Sequence, residues 1–457
     1  MSFIVAPVRK ITRGTTVPVI DGGYWRVGNT DVPQWVSSLS NAYGINADTA
    51  ALSIDPYAGR YFRDGGRKSV SDALSTSWSG GGFVIGASGN LESFGANEAP
   101  ALSGVGISLY RHITPLLYYS ADMSVGAYWT ASNGSSVKNA SAPDGTTNAT
   151  TFTENTSNSF HGFVGNTGNR LAGAAGTKYT AYASVSKVQT RRYVILWWGS
   201  GTDGIIATLD TQTGTITECT VTGGDYTADE CGVEDIGTAW RVWTTGSKAT
   251  GYSGGVIIPL LRGTTASTGN GPAPSYVGDG STIVAWDCNL VAADFVPPPN
   301  PTGASLTPRY ATTVTDPDFA SLVSAYGLDS GFKTGASVAL DRLSDSAARC
   351  VWAAGADADN CARLDISPSN TAKFTLRKAA SDVLVLESGA FTATGDKDIA
   401  VTAKDGAWTL TATGVAGDTD AGTYGLPTLS GFRYGSQFGD AAYLNGTMKN
   451  LVLGRAV

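Results

Sequence analysis

The sequence predicts a mainly β chain: tandem β-sandwich or jelly-roll domains with a few short helices, following an N-terminal segment. Three observations carry this expectation. Apolar and polar residues alternate over short runs throughout, and the runs are separated by Gly, Asn and Asp turns at intervals of about 8–12 residues. Glycine is abundant, 58 of 457 residues, with no collagen-like period. Charge is sparse: 15% of residues are charged, with a net charge of −7, where a soluble domain commonly has about 25%. A chain of this length has enough residues for about three domains, and 42% hydrophobic residues argue against general disorder.

The elements follow in order. Val5–Val19 reads as an extended arm containing Pro7, Pro18, Val5, Arg9, Lys10 and Arg13. Asp31–Asn46 and Asp316–Asp329 read as two similar helices. Each opens on Asp with Pro in the first turn, carries an i,i+4 pair (Leu39/Tyr43, Leu322/Tyr326), and ends in Ala-Tyr-Gly before an aliphatic residue. Gly44 and Gly327 suit the left-handed position that ends a helix. Tyr179–Val185, Ala239–Trp243, Phe374–Arg377 and Trp408–Thr411 alternate as strands, with Trp240 and Val242 on the face opposite Arg241 and Trp243. Thr213-Gly214, Asp405-Gly406 and Asn445-Gly446 are turn dipeptides suited to positive φ. Val296-Pro297-Pro298-Pro299-Asn300-Pro301 reads as an extended interdomain spacer. A softer boundary near Pro100 to Pro115 gives three segments: a small β domain within 1–115, a jelly roll over 116–296, and, after the Pro-rich linker 297–301, a sandwich over 302–457.

Several chemistries lack support. An acidic chain with sparse charge is a poor partner for nucleic acid. No apolar run reaches the ~18 residues of a membrane-spanning helix, and the Met-Ser-Phe-Ile-Val-Ala-Pro start lacks the apolar core of an export signal. His112 and His161, the two histidines, have no ligand-spaced neighbours for zinc and no context for a catalytic triad. No phosphate-loop or nucleophile-elbow pattern occurs, so no cofactor and no enzymatic activity are expected. The weak calcium candidate is Asp357, Asp359 and Asn360, where alternate oxygens are offset by the absence of the Gly and distal Glu of an EF-hand loop; a solvated turn is the competing assignment. Cys219/Cys231 and Cys350/Cys361 have spacings suited to disulfides across a hairpin, with Cys288 left over. The odd count and the absence of an export signal favour buried thiols instead.

Aromatic residues are the best pointers to ligand binding. Sugar-binding proteins stack Trp or Tyr on pyranose faces and fix hydroxyls with amides and carboxylates. Trp197 and Trp198 point to opposite faces of one strand. One belongs to the sandwich core, and the other is the leading candidate for a ligand platform. Trp243 and Tyr193 complete the candidate set.

In the middle segment Leu117–Asp122, Tyr128–Ser132 and Ala142–Thr147, preceded by Arg60–Gly65 and Ala96–Pro100, together resemble a module of tailed-phage fibre and spike proteins. In Arg111–Leu116, Pro115 stands where the family commonly has Asn, and Met123 follows Asp122 where Phe is frequent. The last segment is similar to concanavalin A/laminin G-like domains, through Ala339–Asp345 and Tyr443–Leu451. The resemblance implies a carbohydrate-binding-module-like jelly roll and a homotrimeric spike or tail-fibre subunit of a phage or gene-transfer-agent-like virion. Such a subunit assembles in the host cytoplasm. Val5, Arg9, Lys10 and Arg13 would dock it to other virion proteins, and the outer domains would bind host-surface polysaccharide without chemistry. Two other classes remain open: a purely structural connector, and a glycan-active enzyme with accessory binding modules.

Overall fold

The computed structural model describes residues 24–27, 30–77, 80–169, 171–200, 203–250, 252–261, 274–309, 311–340, 343, 347–439 and 442–456. The arm holding Val5, Arg9, Lys10 and Arg13 lies outside them. The described chain is mainly β, with antiparallel sheets packed into two sandwiches.

All strands from Trp129–Ser132 to Thr282–Val291, apart from the short Asn158–Ser159 and Tyr276–Val277 pair, form the first sandwich. One sheet is centred on Tyr193–Ser200, and the other on Lys178–Ser186 and Thr282–Val291. Their facing sides bury Phe152, Phe163, Val185, Leu196, Trp198, Ile205 and Val242 in one core. Trp198 from one sheet meets Tyr179 and Tyr226 from the other, with ring centroids 5.7 and 5.6 Å away. These separations suit tilted and edge-on aromatic packing.

The second sandwich draws on both ends of the chain. Its larger sheet runs through Gly395–Ala403, Phe332–Leu340, Gly446–Arg455, Ala50–Asp55 and Arg60–Arg63, and Gly106–Leu109 also pairs with Gly446–Arg455. In the other sheet, Ser75–Ser77 pairs with Thr313–Thr315. Residues 50–109 therefore supply strands to both sheets of the C-terminal sandwich, and a separate small domain over 1–115 is not what these strands form. The physical reason is burial. Leu52, Ile54, Ile107 and Leu109 share a single apolar core with Trp352, Phe374, Trp408 and Leu451, and short strands need such a partner sheet. Arg63 and Asp316 lock the arrangement. The guanidinium donates from Nη2 and Nε to the two carboxylate oxygens at 3.0 and 3.3 Å, with the Asp316 side chain fully buried.

The Pro-rich stretch is not a spacer. Pro297, Pro298 and Pro299 are buried, and the chain after them is strapped to the first sandwich. Asn300 N donates to Asp287 at 3.0 Å, Thr302 N to Ser120 Oγ at 2.8 Å, and Thr302 Oγ1 to the Leu117 carbonyl at 2.6 Å. Proline lacks an N–H to leave unsatisfied, which suits it to burial at a junction as well as to an extended linker.

The helices are shorter than expected, Gln34–Ala42 and Phe319–Tyr326, and neither has a side-chain cap. Asp316 accepts from Arg63 and from the Asp318 amide, so its carboxylate binds the ion pair in place of the helix end. Gly327 closes the second helix at φ +62°. Gly214 and Gly406 take positive φ as their turns require, and at the third turn Asn445 does so at +49°.

One disulfide joins Cys219 to Cys231, correcting the buried-thiol expectation for this pair. The reason lies in the topology. Thr215–Thr222 and Tyr226–Asp235 are outer strands of opposite sheets, so the bond staples the two layers together along one side. Cys288, Cys350 and Cys361 are free and buried.

Candidate functional site

A cavity of about 530 Å³ opens where the first sandwich, the buried linker and residues 84–110 meet. One wall is the strand pair Tyr226–Asp235 and Ala239–Lys248. Alternation along Ala239–Lys248 sends Arg241, Trp243 and Thr245 into the cavity, while Val242 enters the core. Register places Glu234 opposite Arg241, Gly232 opposite Trp243 and Glu230 opposite Thr245. Gly232 has a specific purpose here: a Cβ on it would lie 2.3 Å from the Trp243 ring, so the indole lies flat across the bare backbone.

The opposite wall supplies Tyr110 and Phe295, whose rings stack with centroids 5.9 Å apart. Arg111 sits 5.1 Å over Phe295 and 3.5 Å from the Asp294 carboxylate. At the floor, the buried Arg241 guanidinium lies 4.3 Å over the Tyr182 ring and 3.6 Å from Glu234. Behind it Asp287 is fully enclosed. Burial pushes its carboxyl up to about 6, against the opposing pull of Arg241, the Asn300 amide and the Ser120 hydroxyl. The site thus offers two half-buried aromatic side chains, Trp243 and Tyr110, the second backed by the buried Phe295 ring, with carboxylates that accept hydrogen bonds and guanidinium groups that donate them. A polyhydroxylated ring with one apolar face fits such a surface.

The sequence-derived candidates divide. Trp243 lines this cavity. Trp197 and Trp198 do point to opposite faces, yet both are buried, at 3% and 0% exposure, so neither is a ligand platform. Trp198 fills the inter-sheet core, and Trp197 is closed over by Ile195, Ile206, Phe160 and Val164. Tyr193 is half-buried on the other sheet under the Arg192 guanidinium, which is itself paired with Asp210; the structure does not bring it to Trp243. Asp357 and Asn360 end two strands and Asp359 lies in the hairpin turn between them. Asp357 accepts from the Asp359 amide and the Asn360 side chain, and Asn360 Oδ1 takes the Ala379 amide, so local donors occupy the oxygens a cation would need. Among the described residues, no group of three or more His, Cys, Asp and Glu side chains is placed to hold a metal.

Sequence reasoning missed Arg241, Tyr110, Phe295, Asp294 and Glu234 as site residues. Alternation already put Arg241 on the Trp243 face. Glu234 pairs with Arg241 across the adjoining hairpin, whereas Tyr110, Phe295 and Asp294 reach the cavity through long-range packing, for which a single sequence carries no signal.

The most catalytic-looking constellation lies elsewhere. Glu154 is buried and accepts from Tyr276 Oη at 2.7 Å, from Arg191, and from the Asp279 amide at 2.9 Å. Burial first, then the Glu154 hydrogen bond, pushes the Tyr276 phenol upward, which opposes nucleophilic use. His161, also buried, contacts the Asn133 and Tyr276 carbonyls through its two ring nitrogens, at 2.8 and 3.3 Å. These groups hold the 276–281 loop against the sandwich.

No family model matches the sequence, and no curated protein does. Among solved structures, the chain is similar to the CBM40 of the Ruminococcus gnavus IT-sialidase bound to α2,6-sialyllactose. That likeness has 16% identity and a TM-score of 0.25, covering 30% of this chain and 82% of that one. Mouse laminin α1 domains LG4-5 match at 10% identity and TM-score 0.21, covering 62% and 85%. Trypanosoma rangeli sialidase matches at 12% identity and TM-score 0.26, covering 71% of this chain and 60% of that one. The fold described above rests on strand pairing and the two cores, independently of these low-scoring likenesses.

Proposed function

We propose that this chain is a spike or fibre subunit of a phage particle and that it binds host-surface glycan, without chemistry, in the cleft formed by Trp243, Tyr110 and Phe295. The observation that carries the glycan reading is the cleft itself: aromatic faces beside Arg241, Glu234 and Asp294 in a cavity large enough for a sugar unit. Stacking and hydroxyl hydrogen bonds would give modest affinity per site, and repeated copies on a particle, a homotrimer included, would multiply it by avidity. The virion role is supported by the sequence resemblance of the middle and last segments. Non-catalytic binding is supported by the structural engagement of Glu154 and Tyr276.

A second reading, a connector that binds no sugar, is favoured by the buried Trp197 and Trp198 and by the cemented linker. A glycan array probed with the full chain, with reducing ends assayed in the same wells, separates these. Binding without new reducing ends supports the proposal, and absence of binding to every host polysaccharide fraction leaves the connector. Release of shortened glycan would overturn the non-catalytic reading.

A further inference from the structure

We infer that the first sandwich holds a second ligand site, a groove over Trp286 that takes the acetamido group of an N-acetylated sugar. This rests on the glycan-binding reading but concerns a different surface. The groove encloses about 410 Å³ and is lined by Trp286, Ser184, Ala142, Ala149, Val284 and Val188, among others. Its floor carries two hydrogen-bonding groups with no partner. Trp286 Nε1 and Ser184 Oγ are buried, each on a residue 1% exposed, and neither makes a hydrogen bond. Ser184 and Trp286 are direct cross-strand neighbours, so their side chains share one face of the sheet. Unpaired buried donors are costly and call for an acceptor.

The rest of the lining defines that acceptor. Alanine and valine side chains want a methyl-sized apolar group, and Val188 stands at the rim 86% exposed. Lys187, the one cation in the lining, is committed to Asp235 at 2.5 Å and sits 4.2 Å over the Trp240 ring. A carboxylate would therefore enter without a free counter-charge, whereas a neutral carbonyl needs none. Carbonyl oxygen beside a methyl group is an acetyl group. Sugars carry it as an acetamide, whose oxygen would accept from both Trp286 Nε1–H and the Ser184 hydroxyl. The groove also has a physical link to the cleft. Glu234, Arg241, Ser184 and Trp286 form one continuous row of cross-strand neighbours, with the cleft at one end and the groove at the other.

The test measures binding of N,N′-diacetylchitobiose, its fully deacetylated form and cellobiose to the full chain by titration calorimetry and saturation-transfer NMR. The diacetyl sugar should bind at least tenfold more tightly than the other two, with the strongest saturation on its methyl protons. Ser184→Ala should weaken it about fivefold, as expected for loss of one neutral hydrogen bond. Trp286→Phe, which keeps a ring and removes the N–H, should do the same, while W243A keeps the acetyl preference. Equal affinity for the three sugars overturns the inference, as does unchanged binding in S184A and W286F. Loss of binding in W243A alone also overturns it, and leaves the glycan reading of the cleft standing. Failure of the chain to bind any glycan overturns both.

Discussion

Replacing Asp316 by Asn tests whether residues 50–109 belong to the C-terminal sandwich. Arg63, on a strand before the jelly roll, meets Asp316, after it, through two hydrogen bonds at 3.0 and 3.3 Å, with side-chain exposures of 9% and 0%. Removing one partner of a buried pair costs about 3–5 kcal/mol because the other charge stays uncompensated. Asp318, 3.9 Å from Arg63 but 69% exposed, offsets a little of that, so about 3 kcal/mol is expected. In hydrogen exchange resolved by peptide, this amounts to acceleration of roughly two orders of magnitude in the most protected amides. It should appear equally in peptides covering Ala50–Asp55, Phe332–Leu340 and Gly446–Arg455, while the Tyr193–Ser200 strand is unaffected. R63M/D316L should recover most of the loss, because a well-packed apolar pair replaces an ion pair at little net cost. Less than a threefold change in D316N would refute the reasoning. So would acceleration confined to residues 50–55.

Four further outcomes follow from the same geometry. C219A/C231A should lose about 3 kcal/mol in the jelly-roll unfolding transition, the chain-entropy value for a loop of roughly this length; calorimetry of the variant checks it, and non-reducing peptide mapping checks the bond. Asp287 has a folded pKa of about 6, above its ordinary 3.8, so the folded state holds the proton more tightly. Its contribution is present below about pH 4 and is lost as pH rises to about 6, on the order of 3 kcal/mol; D287N should flatten this segment of a stability-against-pH curve. W198A should cost about 3–5 kcal/mol through the cavity it leaves. G232V, by contrast, should reduce glycan binding with a smaller effect on stability, because its side chain displaces the Trp243 indole.

Local regularities made much of the fold legible. Alternation located Tyr179–Val185 and Ala239–Trp243, and even the outward face shared by Arg241 and Trp243. Turn chemistry located Gly214, Gly406 and Asn445. Long-range partnership was illegible: nothing near Leu52 or Ile107 announces that their partner strand is Gly446–Arg455. The proline run was misread for a related reason, since the residues that bury Pro297–Pro299 lie elsewhere in the chain. Opposite orientation of Trp197 and Trp198 was correct, but orientation away from one core does not mean exposure when Ile195, Ile206, Phe160 and Val164 pack around the ring as a second apolar cluster. The Cys219–Cys231 bond required knowing that consecutive strands belong to opposite sheets.

The most direct test of the cleft is ¹⁹F NMR of the chain labelled with 5-fluorotryptophan, titrated with a glycan that binds on the array. The resonance assigned to Trp243 by its absence in W243F should shift or broaden with saturation, while those of Trp197 and Trp198 stay in place. A response at Trp197 or Trp198 with Trp243 silent, or no response at any tryptophan, would contradict the account.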